Sequence, residues 1–146
     1  MTIQDVRIDA ERELLAPLED VWMLLAEPRH LSDWWPGYTT VRPDRRGLAP
    51  NARWQVVRGG QAGLLRKPGG EGLIVLTRVD RGRALAWHDV QQRFDAAVEL
   101  APSGNHTNAR VSVDATWWRI RVEGLRRAPG EAVSRLHALC QTAAGL

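Results

Sequence analysis

The residues best placed for acid–base chemistry lie near the ends of two predicted strands. Asp89 follows Trp87 by two residues and therefore shares its strand face. Arg119 stands in the same relation to Trp117. An Asp89–Arg119 pair could polarise a carbonyl or move a proton, as general acid–base catalysis requires, and His88 is a further candidate. Because charges at strand ends are usually exposed to solvent, these three residues also fit an ordinary surface, and they specify no reaction.

Nucleophilic and metal chemistry find less support in the sequence. His137 and Cys140 stand three residues apart on a predicted helix, where such a pair can form a thiolate nucleophile. The simpler interpretation is that Cys140 is a small apolar core residue. The four histidines are too far apart in sequence for two to share a helix face, and one cysteine cannot form a thiolate cluster. We therefore expect no metal site, and no cofactor-binding motif is present.

Seven tryptophans against one phenylalanine and one tyrosine are the most unusual feature of the composition. Each buried indole removes roughly 150–250 Å² from water, so a core role is the simpler interpretation. Trp22 lies on the apolar face of a predicted helix and is assigned to the core. Trp34 and Trp35 cannot both point inward on a helix as short as theirs, so one of them is expected to flank the mouth of an interior cavity.

Length and charge exclude several classes of protein. The chain has 146 residues, of which 44% are hydrophobic and 25% charged, as expected for one globular domain over residues 1–146. The longest apolar run, residues 21–26, is too short to span a membrane, so no membrane insertion is expected. Twenty basic residues are scattered among 17 acidic ones, without the stripe typical of nucleic-acid binders. One cysteine and no visible secretory signal predict a cytoplasmic protein.

Hydrophobic periodicity divides the chain into successive elements. Residues 2–15 predict a first strand, and residues 17–35 predict two short helices that Pro36 and Gly37 end. From Tyr38 the apolar period changes to two, and turn residues separate five predicted strands, at residues 52–58, 72–79, 83–90, 93–100 and 108–122. Residues 129–145 then predict a long last helix. Short connections favour antiparallel pairing, so an α+β domain follows, with the last helix lying across a curved sheet.

Several short motifs occur in a fixed order along the chain. In the first helices they are Ala16-Pro17, Val21-Trp22, Glu27-Pro28 and Trp35-Pro36-Gly37. Further on, RALAWHDV (residues 83–90) is similar to an "R-x-L-x-W" strand, and APSGNHTNARVSV (residues 101–113) is similar to a "P-x-G-x-x-T-x-V" hairpin. With these motifs the chain resembles the START-like, or Bet v 1-like (SRPBCC), superfamily, in its bacterial polyketide cyclase/dehydrase and lipid-transport branch. The order of elements matches that of the family over about residues 3–144.

This resemblance implies a helix-grip fold. A curved antiparallel sheet of about six to seven strands wraps the long C-terminal helix, two short helices follow the first strand, and an apolar cavity lies between sheet and helix. Trp54, Trp87 and Trp117 fall on strand faces that would line this cavity, as core residues or as a surface for a flat ligand. The complete set of predicted ligand-binding residues is Trp35, Trp54, Trp87, Phe94, Trp117 and Arg119.

Three functions remain open at this point. The first is binding of a hydrophobic, aromatic or polyketide-like small molecule in the internal cavity. The second is a polyketide cyclase or dehydratase that uses general acid–base catalysis. The third is an interaction protein or chaperone co-factor with a filled core, in which Trp34 and Trp118 form an exposed protein-binding patch. A second copy of the chain, in a homodimer, is a further candidate partner, whereas no nucleic acid is expected. A solvent-connected void of several hundred Å³ would favour the first function.

Overall fold

The computed structural model describes residues 5–59 and 70–144, so residues 2–4 of the predicted first strand lie outside the described part. Strand β1 spans Asp5–Leu14 and helix α1 spans Leu18–Ala26, followed by a 3₁₀ turn at Pro28–His30 and helix α2 at Leu31–Trp34. Pro17 precedes α1 with an extended backbone, and Glu19 and Asp20 lie in its first turn, where acidic side chains favour the positive end of the helix dipole.

Six further strands follow, and then the C-terminal helices. Their bounds are β2 Tyr38–Arg42, β3 Arg53–Arg58, β4 Glu71–Asp80, β5 Ala84–Asp89, β6 Phe94–Ser103, β7 His106–Thr116, α3 Trp117–Val122 and α4 Ala128–Ala144. A 3₁₀ turn at Leu125–Arg127 joins the last two helices. The strands form one antiparallel sheet in the order β1-β7-β6-β5-β4-β3-β2. Strand β2 is not among the five strands that the alternating apolar pattern predicts after residue 38.

Alternating burial shows why these segments form strands with one face on the core. In β6, the apolar side chains Phe94, Ala96, Val98 and Leu100 are buried, whereas the carboxylates between them are exposed. Register shifts at Tyr38/Thr40 and Leu76/Arg78 add bulges, which bend a sheet. Helix α4 packs against β1, β7 and α2, and Leu136 in its middle is fully buried. The predicted α+β helix-grip fold, with seven strands and a long C-terminal helix, is confirmed.

The predicted last strand is too long. Residues 108–122 were expected to be one extended segment, but β7 ends at Thr116 and Trp117–Val122 form helix α3. Pairing with β6 ends at Asp114, opposite Asp95, and pairing with β1 ends at Thr116, opposite Asp5. The pairing with β6 has ended at this point, and the backbone satisfies its hydrogen bonds within a helix that buries Ile120.

Within the described residues, no helix is long and apolar enough to cross a membrane.

Candidate functional site

Five aromatic side chains meet under the concave face of the sheet, and we call them the aromatic cluster: Trp34, Trp35, Tyr38, Trp87 and Phe94. Helix α2 ends at Trp34, Trp35 lies on the short segment after it, Tyr38 begins β2, and the last two lie on the adjacent strands β5 and β6. All five are buried. The cluster therefore joins the short helices to the middle of the sheet.

Trp35 is the centre of this cluster. Its ring lies 5.1 Å from Trp87 and 6.3 Å from Trp34, edge to face in both cases, and 5.9 Å from Phe94 in a stacked arrangement. Tyr38 lies 6.2 Å away at a tilt. Edge-to-face and offset-stacked pairs each add about 0.5–1.5 kcal/mol beyond the burial of area.

The expectation that only one of Trp34 and Trp35 points inward is wrong, since both are buried. Helix α2 ends at Trp34, and Trp35 has an extended backbone, with φ −87° and ψ 120°. The rule against two neighbouring inward side chains holds within a helix. Because the backbone changes from helical at Trp34 to extended at Trp35, the rule does not apply to this pair, and both indoles reach the core.

A chain of hydrogen bonds crosses the bottom of the aromatic cluster. The Tyr38 hydroxyl donates to Asp89 Oδ2 at 2.7 Å and accepts from Trp87 Nε1 at 3.3 Å. Asp89 Oδ1 accepts from the backbone N–H of Gln92 at 2.8 Å. Asp89 is only 1% exposed, so these bonds replace the water that a carboxylate would otherwise require. Burial, followed by the nearby charge of Asp89, raises the pKa of Tyr38 well above its ordinary value and keeps the phenol protonated.

The same chain of contacts reaches the surface by way of Gln92. Its Nε2 donates to Glu123 Oε2 at 2.7 Å, and Glu123 Oε1 lies 3.7 Å from Arg119 Nη1. The guanidinium of Arg119 lies 4.4 Å above the ring of Trp118. Arg119 therefore pairs with Glu123 and not directly with Asp89, and the predicted Asp89–Arg119 pair is wrong.

His88 lies on the opposite side of the sheet from Asp89. Consecutive residues of a strand point to opposite faces, so the side chain of His88 faces outward, where Nδ1 lies 3.0 Å from Asp95 Oδ1. The three predicted catalytic candidates, Asp89, His88 and Arg119, thus occupy the core, the outer face of the sheet and helix α3. They do not form one constellation.

A solvent-connected cleft of about 470 Å³ opens where helices α3 and α4 meet the ends of the strands, and we call it the mouth cleft. Its floor includes Trp35, so it lies directly against the aromatic cluster. Arg58 and Gln92 reach it from the sheet side. The helix side contributes Val122, Glu123, Gly124, Leu125, Arg127, Ala128 and Glu131.

The predicted ligand-binding residues divide between these regions. Trp35 lines the mouth cleft, and Trp87 and Phe94 stand behind it in the aromatic cluster. Trp54 is fully buried, and its Nε1 donates to the carbonyl of Gly47 at 2.8 Å, which ties β3 to the preceding loop. Trp117 is 60% exposed at the start of α3, so its predicted inward orientation is wrong, because the strand that would have turned it inward ends one residue earlier.

The buried position of Cys140 fits its assignment to the core. Cys140 is buried, and burial raises the pKa of its thiol, which opposes formation of a thiolate. His30 pairs with Asp33, and His106 with Glu13, both at the surface. Within residues 5–59 and 70–144, no group of three metal-ligating side chains comes together.

Sequence reasoning missed Tyr38, Gln92 and Glu123. Tyr38 is the only tyrosine of the chain and begins a strand directly after the Pro36-Gly37 turn, which is a usable signal. The hydrogen bond from Gln92 to Glu123 joins residues 31 positions apart and has no local signal. Three buried side-chain polar atoms have no hydrogen-bond partner among the described residues: Trp34 Nε1, Thr116 Oγ1 and Arg119 Nε.

Residues 5–143 match the family described as polyketide cyclase/dehydrase and lipid transport, which is nearly the whole chain. The chain belongs to this family. The superfamily resemblance carried by the motifs around Trp22, Trp35 and Trp87 is therefore confirmed. No curated protein matches the chain.

Solved structures share the fold at low identity. A structural-genomics target from Nitrosomonas europaea is 20% identical with a TM-score of 0.75, over 100% of this chain and 99% of the other. The di-domain ARO/CYC StfQ of the steffimycin biosynthetic pathway is 12% identical with a TM-score of 0.74, over 98% of this chain and 53% of the other. An AHSA1-like protein from Aeromonas hydrophila is 18% identical with a TM-score of 0.67, over 96% and 94%.

Proposed function

We propose that this family member binds a small hydrophobic molecule with a flat ring system in the mouth cleft, against Trp35. The observation that carries this proposal is that Trp35 is both the centre of the aromatic cluster and part of the lining of the mouth cleft. A cleft of about 470 Å³ also falls within the usual range for small-molecule sites, about 300–1,000 Å³. The family description, polyketide cyclase/dehydrase and lipid transport, fits ligands of this type.

Polar groups around the cleft favour a ligand that carries an oxygen acceptor. Arg58 and Gln92 can donate hydrogen bonds from the sheet side, and Arg127 can do so from the helix side. An aromatic or polyketide-like molecule with a carbonyl, carboxylate or phenolate fits these groups better than a plain hydrocarbon.

Ligand binding is favoured over a filled interaction core by the solvent-connected cleft. The aromatic cluster itself is packed, so the proposed ligand lies above it or displaces part of it. The patch that the interaction hypothesis assigned to Trp34 and Trp118 does not form as expected, because Trp34 is buried.

Catalysis is a second candidate, favoured by one observation. A buried carboxylate, that of Asp89, is hydrogen-bonded to a phenol beneath the cleft, and such a pair can orient or exchange a proton. Both Asp89 oxygens already accept hydrogen bonds, so the carboxylate would act through Tyr38 on a ligand that displaces Trp35. Loss of turnover of an aromatic polyketide in Tyr38→Phe, with binding retained, would support this candidate.

The binding proposal is tested by titration with 8-anilinonaphthalene-1-sulfonate, an aromatic probe with an anionic oxygen group. We expect saturable binding by the wild-type protein. Arg58→Met removes a charge-assisted hydrogen bond from the cleft and should weaken binding about tenfold. Val122→Phe should weaken binding as well, because the larger side chain narrows the cleft.

Two control variants make the same changes outside the cleft lining. Arg83→Met removes an exposed arginine at the β4–β5 turn, and Val90→Phe enlarges an exposed side chain after β5. Both should bind the probe like the wild type. Equal probe affinity in the wild type, Arg58→Met and Val122→Phe would show that the probe binds elsewhere and would refute the proposed site.

A further inference from the structure

Helix α3 exposes an apolar surface that the ligand proposal does not use. Trp117 is 60% exposed, Trp118 41% and Val122 68%, although side chains of this type are normally buried. On a helix, residues four positions apart stack above one another, so Trp117 lies beside Arg121 and Trp118 beside Val122. Ile120 is buried and holds the opposite side of the helix on the core.

The positive charge of the protein is concentrated at the same place. Residues 117–127 contain four arginines and one glutamate. The whole chain has 20 basic and 17 acidic residues, so the remainder holds 16 of each and is balanced. The net charge of +3 therefore equals the excess of this one segment.

Two of the arginines and one of the tryptophans of this segment line a common groove. Arg121 and Arg126 are exposed, and together with Trp117, Val6 and Ile120 they line a depression of about 330 Å³. Neither arginine forms an ion pair with any residue in the described ranges. The only acidic residue of the segment, Glu123, is already engaged with Arg119 and Gln92. We call Trp117, Trp118, Arg121, Val122 and Arg126 the α3 surface.

Charge and size decide what this surface can bind. A second copy of the chain in symmetric contact would place these arginines against their own copies, which is unfavourable. A stable protein–protein interface needs about 1,200–2,000 Å² of buried area, far more than four or five side chains supply. A bilayer with acidic lipids needs no such area, because each arginine near its surface adds attraction and indole rings settle at the level of the headgroups.

We propose that the α3 surface docks peripherally on a membrane containing anionic phospholipids. The rings of Trp117 and Trp118 lie among the headgroups, Arg121 and Arg126 contact lipid phosphates, and no segment crosses the bilayer. Because Val122 belongs both to the α3 surface and to the mouth cleft, docking brings the cleft to the lipid surface. Docking itself rests on α3 and does not require the proposed ligand.

The test is co-sedimentation of the protein with vesicles of phosphatidylcholine, with and without about one third phosphatidylglycerol. We expect binding to the anionic vesicles, little binding to the neutral ones, and a blue shift of tryptophan emission on binding. Arg121→Gln combined with Arg126→Gln should weaken binding at least tenfold, since each arginine near an anionic surface adds attraction worth a factor of about five. Added salt should weaken wild-type binding in the same direction.

The matched control carries Arg81→Gln and Arg83→Gln. These two exposed arginines flank the β4–β5 turn, at the end of the sheet away from α3. The variant that lacks them should bind anionic vesicles like the wild type. Trp117→Ser with Trp118→Ser should lose the emission shift while keeping the far-ultraviolet circular dichroism of the wild type.

Three results would overturn the proposal. One is equal vesicle binding by the Arg121/Arg126 variant and its control. Another is the absence of wild-type binding to anionic vesicles at low salt. The last is a dimer or a DNA complex at physiological salt that the α3 variants abolish, since the surface would then serve another partner. Probe binding in the mouth cleft is measured without lipid, so failure of one proposal leaves the other unaffected.

Discussion

Two pairs of neighbouring tryptophans have opposite environments in this protein. Trp34-Trp35 stands at the end of helix α2, and both rings are buried at the centre of the molecule. Trp117-Trp118 stands at the start of helix α3, and both rings are exposed. The residue types are the same, and each pair lies at a helix boundary, the first at a C-terminus and the second at an N-terminus. What differs is whether the chain at that point runs beneath the concave sheet or leaves its last strand.

This comparison shows that the sequence Trp-Trp does not by itself determine whether the two side chains are buried or exposed. The first pair has Trp87 and Phe94 from two adjacent strands to pack against. In the second pair, Arg119 lies over the ring of Trp118, and Trp117 lines an open groove together with Val6, Arg121 and Arg126. The buried pair therefore contributes to stability, and the exposed pair is available for contacts with other molecules.

The strongest test of the comparison is removal of the central indole. Trp35→Ala should lower the free energy of unfolding by about 3–5 kcal/mol, because it deletes a buried aromatic side chain and leaves a cavity. Urea denaturation measures this loss. Trp118→Ala makes the same change in the exposed pair and should lower the free energy of unfolding far less. Similar losses in the two variants would contradict the contrast between the pairs.

The next effect concerns the helix that closes the core around the buried pair. Leu136→Ala in α4 should cost about 2–5 kcal/mol, since Leu136 is fully buried against the sheet side of the fold. Leu15→Ala, at a position 40% exposed after β1, is the control and should cost far less. A loss below about 0.5 kcal/mol for Leu136→Ala in thermal or urea unfolding would place α4 on the surface and refute the helix-grip arrangement.

A third effect tests the polar edge of the buried cluster. Tyr38→Phe leaves Asp89 Oδ2 and Trp87 Nε1 without their shared partner, so stability should fall by about 1–3 kcal/mol near neutral pH. Asp89→Asn removes the charge and retains the shape of the side chain. Its unfolding free energy shows how much of the stability of this network depends on the charge of the carboxylate. No measurable change in Tyr38→Phe would mean that these bonds do not persist in solution.

The raised pKa of Tyr38 gives a pH dependence with a definite sign. The phenol of the unfolded chain ionises near its ordinary value of 10.0, whereas the buried phenol stays protonated. Stability is therefore unaffected below about pH 10 and falls above it, by about 1.4 kcal/mol per pH unit until the native phenol ionises. Because Tyr38 is the only tyrosine, tyrosinate absorbance reports this group alone. A native-state titration centred near pH 10 would contradict its burial, and Tyr38→Phe should lose the extra alkaline slope.

The smallest effect is expected in the exposed pair. Trp117→Ala should change the free energy of unfolding by less than about 0.5 kcal/mol, as for most surface substitutions. Urea unfolding of this variant beside the wild type measures it. A loss of more than about 2 kcal/mol would show that the ring is buried in solution, and the α3 surface would then not exist.

Local pattern alone determined most of the fold. Alternation in β6 placed Phe94, Ala96, Val98 and Leu100 on one face, and the structure buries all four, because a strand's period of two fixes which residues share a side. The long last helix predicted over residues 129–145 is likewise present as α4, and Leu136 in its middle is buried. The family motifs are equally local, and the match over residues 5–143 agrees with them.

Only the tertiary structure decided the site. Asp89 meets Tyr38 across 51 residues, and Gln92 meets Glu123 across 31, so no periodicity within either segment contains these contacts. The end of β7 at Thr116, and with it the exposure of Trp117, comes just beyond the point at which pairing with β6 ends. Sequence period fixes the face of an element on which a residue lies. The partners that sheet pairing and helix packing bring to that face decide whether the residue is buried, hydrogen-bonded or left open to a ligand.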